Sequence, residues 1–341
     1  MKNILYILLF IPAFLLSQTI SNKLELRKTY HDNGELKTEI SYLNGKMHGK
    51  YMSYFTTGKV NEERHYDNGL GTGVWKSYIT SENIYHMREE FIWAKKAKFK
   101  TGTLKAYFPD GKLKDIRDQM NGLPHGEYKT YNKDGILIYE ANYKNNKLEG
   151  LSRSFRQNGS LVSESNYKNN KRHGVQKSYN DKGQLIQEEN YKNGNRDGVY
   201  RIFDHKGGIT RETWYRGNSK RTCEKYFYPN GNIRSEYFYR KNGSYKVQKE
   251  YYENGNLKSE LYYNDKSKRG KTRYYYENGN LKEKYNTLDG YHDGNYKSYY
   301  ENCVLKAEGL YIRGYKIRTW KEYDAKGKLI SKTKNKRTSN N

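Results

Sequence analysis

The chain has 341 residues, with 64 Lys and Arg against 38 Asp and Glu, giving a formal charge of +26. Leu, Ile, Val and Phe fill only 60 positions, about 18% of the chain, below the roughly 20% at which a highly charged chain stops building an ordinary aliphatic core. Thirty-eight Tyr offset that deficit, because a Tyr ring buries apolar area while its hydroxyl keeps water. Two Cys and four Pro exclude a disulfide-dense scaffold and a Pro-rich stalk.

Lys2, the apolar run from Ile4 to Leu16, and Ser17 read as a secretory signal over residues 1–17, with the mature chain starting near Gln18. Thirteen residues at ~1.5 Å each reach ~20 Å, short of the ~30 Å hydrocarbon core of a bilayer, which argues against an anchor. No Cys follows the run, so lipid attachment is disfavoured. The expected location is outside the cytoplasm: periplasm, cell envelope or medium. Residues 18–24 form a lead-in.

From there a period of 24 residues organises the sequence. Gly34, Gly58, Gly111, Gly135, Gly159, Gly183, Gly207, Gly231, Gly255 and Gly279 share one phase, continued by Cys303 and Gly327. With these residues numbered as position 9, position 5 is aromatic in all thirteen units, from Tyr30 to Tyr323, and position 11 is aliphatic in all thirteen, from Leu36 to Leu329. Position 14 is Glu in nine units, position 17 is Tyr in nine and position 0 is Gly in nine. The one break is the unit 73–101, which runs 29 residues.

Asn33-Gly34, Asp134-Gly135, Asn254-Gly255 and their equivalents lie between Tyr-, Ile- and Leu-rich runs, the composition of a tight hairpin loop. A loop at positions 7 to 9 with a left-handed Gly sets position 5 opposite position 11. A second turn near positions 19 and 20 (Asn44-Gly45, Asn145-Asn146, Asn193-Gly194) links one hairpin to the next. Gly or Asn every ten to twelve residues leaves no useful helical run. The expected fold is all-β: an elongated, single-layer array of about 13 antiparallel hairpins, some 26 strands, over residues 25–332, twisted or coiled as long open sheets are. Residues 333–341 read as a basic disordered tail.

The stretch Tyr191-Lys192-Asn193-Gly194-Asn195-Arg196-Asp197-Gly198-Val199-Tyr200 and the pairs His48-Gly49, His125-Gly126 and His173-Gly174 resemble the MORN repeat, and more closely its bacterial variant found in antitoxin-like proteins. The resemblance covers about residues 25–332 and implies a hairpin array that binds other molecules and is not catalytic. Two departures stand out. The second Gly of the standard motif is missing after His-Gly, and Thr222, Lys246 and Arg318 replace the position-0 Gly. Both argue against carrying over the lipid binding proposed for some MORN proteins.

Catalytic and metal constellations are not indicated. His48, His125 and His173 share one repeat position, which reads as a turn role, and repeats stand too far apart to share a zinc. Gly270-Lys271-Thr272 lacks the upstream Gly of a phosphate loop. Cys223 and Cys303 lie 80 residues apart, ~32 Å along such an array, and are expected as free thiols unless the array folds back or one of them bridges two chains. No enzyme and no cofactor is expected.

Position 3 is Lys or Arg in twelve units, and strand alternation places it on the face of the position-5 aromatics. The candidate binding face is therefore Lys105, Tyr107, Lys129, Tyr131, Arg153, Phe155, Lys177, Tyr179, Arg201 and Phe203, with Trp93 from the irregular unit. Lys stems can lie over rings there, and the column also protects against edge pairing. The Glu column reads as a ladder with Lys partners. Phe91 to Lys100 reads either as a docking segment or, preferably, as a longer strand and loop. The expected function is binding of a macromolecular partner through this Tyr/Lys face: a protein first, an anionic polymer or membrane surface second, nucleic acid last. Alternatives are an immunity-like protein that neutralises one toxin, or a structural envelope component.

Overall fold

The computed structural model describes residues 23–81, 84–94, 99–264 and 266–335. The signal read at residues 1–17, the segment 95–98 and the last six tail residues lie outside them. Among the described residues every regular element is a strand, 27 in all, each paired antiparallel with a neighbour in sequence. They fall into two compact units, one reaching Pro124 and one starting at His125.

Two kinds of turn alternate. In the first, Asn132 N–H donates to Ile136 O at 2.9 Å and Gly135 N–H to Asn132 O at 3.0 Å, with Gly135 at φ +81°. The loop is positions 7 to 9, and only its Gly is left-handed. The Asn132 side chain supports it, Oδ1 accepting from Asp134 N and Ile136 N at 3.0 and 2.9 Å. In twelve of the thirteen units position 5 stands opposite position 11, as Tyr131 does to Leu137 and Phe155 to Leu161.

In most repeats, though not at Arg240–Ser244, where the first kind recurs, the second turn is two residues long with both in the left-handed region, such as Asn145 and Asn146 at φ +49° and +64°. That is the twist-matched hairpin turn, and Asn tolerates it where other side chains resist.

Two bulges recur in most repeats and were not expected; the pairing of Leu257–Asn264 with Arg269–Tyr275 has none, Gly270 standing in register opposite Tyr263. One follows position 11: Leu137 pairs with Tyr131 but Tyr139 with Thr130, leaving Ile138 over. The other holds the position-0 Gly: Ile40 pairs with Tyr51 but Tyr42 with Met47, and Gly49 takes φ +86°. His48, His125 and His173 are thus strand residues beside a bulge rather than turn residues. Their Nδ1 atoms face the following turn, 3.3 Å from Asn145 Oδ1 for His125 and 3.3 Å from Asn193 Oδ1 for His173. Asp293 does the equivalent by accepting from Arg313 N at 3.3 Å. A bulge also produces the extra strand, since Asp293 separates the short strand Tyr291–His292 from Gly294–Tyr299.

The long unit departs from the repeat register. Its strands Leu70–Ser81 and Ile84–Trp93 extend past the usual hairpin tip, so Tyr78 pairs with Met87 and Ile84 with Ser81. Phe91 and Trp93 are 2% and 9% exposed and pack with Leu104 and Trp75. This is core, which favours the longer-strand reading over a docking segment for these residues. Gly71 makes room for it: a Cβ there would lie 2.2 Å from the Trp93 ring. In the regular repeats of the second unit many of the buried side chains are small, such as Ala141, Ser152, Ser165 and Thr213, all on the face opposite the position-3 column. At the chain's end the repeats run beyond residue 332, because Lys334 and Asn335 still pair with Thr319 and Arg318.

Candidate binding face

The bulge after position 11 decides what stands beside each basic residue. A plain hairpin with position 5 opposite position 11 sets position 3 against position 13. The bulge moves the register by one, so position 3 meets position 14. Arg153 is opposite Glu164, and Lys177 opposite Glu188. Across the second turn the same Glu meets the next unit's cation: Glu140 is opposite Arg153, and Glu164 opposite Lys177.

In the second compact unit an alternating ladder therefore runs Lys129, Glu140, Arg153, Glu164, Lys177, Glu188, Arg201, Glu212, Lys225, Glu236, Lys249, Glu260, Arg273. Arg153 reaches Glu140 at 2.9 Å and Glu164 at 3.7 Å; Arg201 reaches Glu188 at 3.0 Å and Glu212 at 2.8 Å. Lys177 stands 3.8 Å from Glu164, and Lys129 pairs with Glu127 at 2.9 Å. In the first unit Lys105 pairs with Glu90 at 3.1 Å.

Position 5 contributes a third partner, its phenol reaching the carboxylate of the preceding repeat. Tyr179 donates to Glu164 at 3.2 Å, Tyr251 to Glu236 at 2.7 Å and Tyr275 to Glu260 at 3.0 Å. Phe155 and Phe203 keep the ring without the hydroxyl. Burial, then the bond to Glu236, pushes the Tyr251 phenol well above its ordinary range; burial and Glu90 push Tyr107 up to about 12. Burial alone would raise the Glu236 carboxyl, but the Tyr251 hydroxyl, Lys225 and Lys249 outweigh it and hold the group low. Glu260 is lowered in the same way by Arg273, Tyr275 and Tyr262.

The candidate residues thus separate. Lys129, Tyr131, Arg153, Phe155, Lys177, Tyr179, Arg201 and Phe203 share one face of the second unit, and Lys105 and Tyr107 share the equivalent face of the first. Trp93 does not join them. Lys105 pairs with Glu90, three residues before Trp93, so the indole lies on the other face, T-shaped to Phe91 with centroids 5.2 Å apart. The cations are not a bare positive strip, since carboxylates stand between them. Both Cys thiols are free; Cys223 is half-buried, and its pKa is raised by that burial.

The fold and this face define a β-hairpin repeat protein. Eight segments match the family model described as the MORN repeat variant: residues 26–44, 47–68, 124–145, 148–169, 172–193, 223–241, 245–265 and 268–289. No curated protein matches the chain. Among solved structures it is similar to "Crystal Structure of TcdB2-TccC3-TEV" at 13% identity, covering 92% of this chain and 17% of that one with a TM-score of 0.18. It is also similar to "Crystal Structure of TcdB2-TccC3 without hypervariable C-terminal region" at 12% identity, covering 93% and 17% with a TM-score of 0.19. The chain thus spans about a sixth of the length of those two.

Proposed function

We propose that the protein is an exported, non-catalytic repeat scaffold that binds a protein partner across the ladder face. The observation that supports this is the unbroken alternation of cation and carboxylate from Lys129 to Arg273, backed by position-5 rings. Charges that neutralise one another leave the ladder itself near neutral, the chain's +26 being carried mostly by other residues. They offer a protein surface alternating hydrogen-bond donors and acceptors beside aromatic area. Export rests on the apolar leader from Ile4 to Leu16. A toxin neutralised by this chain would be one such partner.

The test is capture on the immobilised mature chain from lysate and envelope extract, washed at physiological and then at high salt. One stoichiometric protein retained through the second wash supports the scaffold reading. A mixed set of polyanions released by salt replaces it with a general adhesive surface.

A further inference from the structure

Resting on that reading, we infer that the ladder face carries a site for an acidic protein segment where the ladder breaks, in the repeat 270–293. Position 14 of this repeat is Lys284 instead of Glu. It stands directly opposite Arg273 on one side and Lys297 on the other. Side chains so placed have Cβ atoms about 4.5–5.5 Å apart, and like charges there repel.

The surrounding groups are those that hold a carboxylate elsewhere in the ladder. Arg153 and Arg201 each contact two Glu. Among the described residues Arg273 is ion-paired only with Glu260, at 2.6 Å, and Lys297 only with Glu308, at 3.2 Å; on the other side each meets Lys284 in place of a carboxylate. Tyr299 is the counterpart of Tyr251 and Tyr275, but the residue its hydroxyl would reach is Lys284. Among the described residues Lys284 has no ion-pair partner.

A groove of about 690 Å³ adjoins the break through Arg273, with Arg240, Lys246, Arg269 and Lys271 also in its lining. Its one carboxylate among the described residues is Asp293. The groove can take an extended segment while one acidic side chain enters among Arg273, Lys284, Lys297 and the Tyr299 hydroxyl. A carboxylate is favoured because the repeat shows what this set binds: Glu236 and Glu260, each held by a cation and a Tyr hydroxyl.

The experiment measures fluorescence anisotropy of a labelled hexaglutamate peptide with the full chain and two variants. Lys284→Glu supplies the missing carboxylate internally, while Lys182→Glu makes the same charge change on an exposed hairpin loop. With about fivefold per exposed ion pair at most, Lys284→Glu is expected to weaken the peptide tenfold or more and to melt at the same or higher temperature. Lys182→Glu should stay within twofold. Equal loss in both variants, or no peptide binding by the unmodified chain, overturns the proposal. So does Lys284-dependent binding of polyphosphate or anionic lipid vesicles without binding of the peptide. If a captured protein partner binds Lys284→Glu undiminished, the scaffold reading stands and this site falls. If nothing is captured but the peptide still depends on Lys284, the site stands and the scaffold reading falls.

Discussion

The Tyr251 hydroxyl donates to Glu236 Oε2 at 2.7 Å, joining side chains from two successive repeats. Glu236 is only 7% exposed and also holds Lys225 at 3.0 Å. Stability in such arrays comes largely from contacts between neighbours. Glu236→Gln keeps the shape but removes the charge that both donors use. The expected loss is about 1.5–3 kcal/mol, the worth of hydrogen bonds to a charged group, read from urea unfolding. Tyr251→Phe should lose less, because Lys225 stays paired.

The same contacts set a pH window. Glu224, Glu236, Glu260 and Glu308 titrate below their ordinary value in the fold. Their contribution is present above the unfolded carboxyl value of about 4.3 and is lost as pH falls through the depressed folded values. Tyr107 and Tyr251 titrate above theirs, so their contribution is present below about pH 10 and is lost as pH rises through the raised folded values. Melting temperature should be flat between about pH 5 and 8 and fall on both sides, the raised Cys223 thiol adding to the alkaline loss before the tyrosines do. A monotonic rise or fall across that range would contradict the assignment.

Gly309 lies against Trp320, which is 4% exposed; a Cβ at Gly309 would sit 2.3 Å from the indole. Its φ is not in the left-handed region, so space alone decides the outcome. Gly309→Ala should cost about 1–3 kcal/mol by overpacking. Adding Trp320→Leu should recover part of that loss in thermal melts, which a backbone effect would not allow.

Cys303 occupies the loop position that is Gly in most repeats and adopts φ +68°. A side chain in the left-handed region costs about 1–2 kcal/mol. Cys303→Gly should therefore stabilise the chain by up to about 1 kcal/mol once the freedom of Gly in the unfolded state is counted. Gly279→Cys, the reverse change one repeat earlier, should destabilise by a similar amount.

The hairpins could be read in the sequence because each rests on local chemistry. Asn-Gly and Asp-Gly mark the first turn, Asn-Gly or Asn-Asn the second, and the Tyr131–Leu137 type of pair follows from loop length. The two bulges could not be read. Ile138, Val162 and Ile186 are ordinary strand residues with nothing in their type to mark them as unpaired, and the bulge Gly at position 0 resembles a turn Gly. That mattered for the candidate face. The Glu column was expected to find Lys partners, but without the first bulge position 14 falls opposite position 2, so which cations it meets could not be read. With it, Glu164 lies between Arg153 and Lys177. Trp93 was misplaced for a related reason, because the longer hairpin resets the phase by which its face would be counted. Lys284 was visible as an exception to the Glu column, but its meaning needed the register.

Site-specific photo-crosslinking to the captured partner tests the central claim most directly. A crosslinker is placed at Lys177 or Lys284 on the ladder face, or at Gln187 on the opposite face. The account predicts adducts from the ladder-face positions and none from Gln187. Adducts from Gln187 alone would contradict it and place recognition on the other side of the sheet.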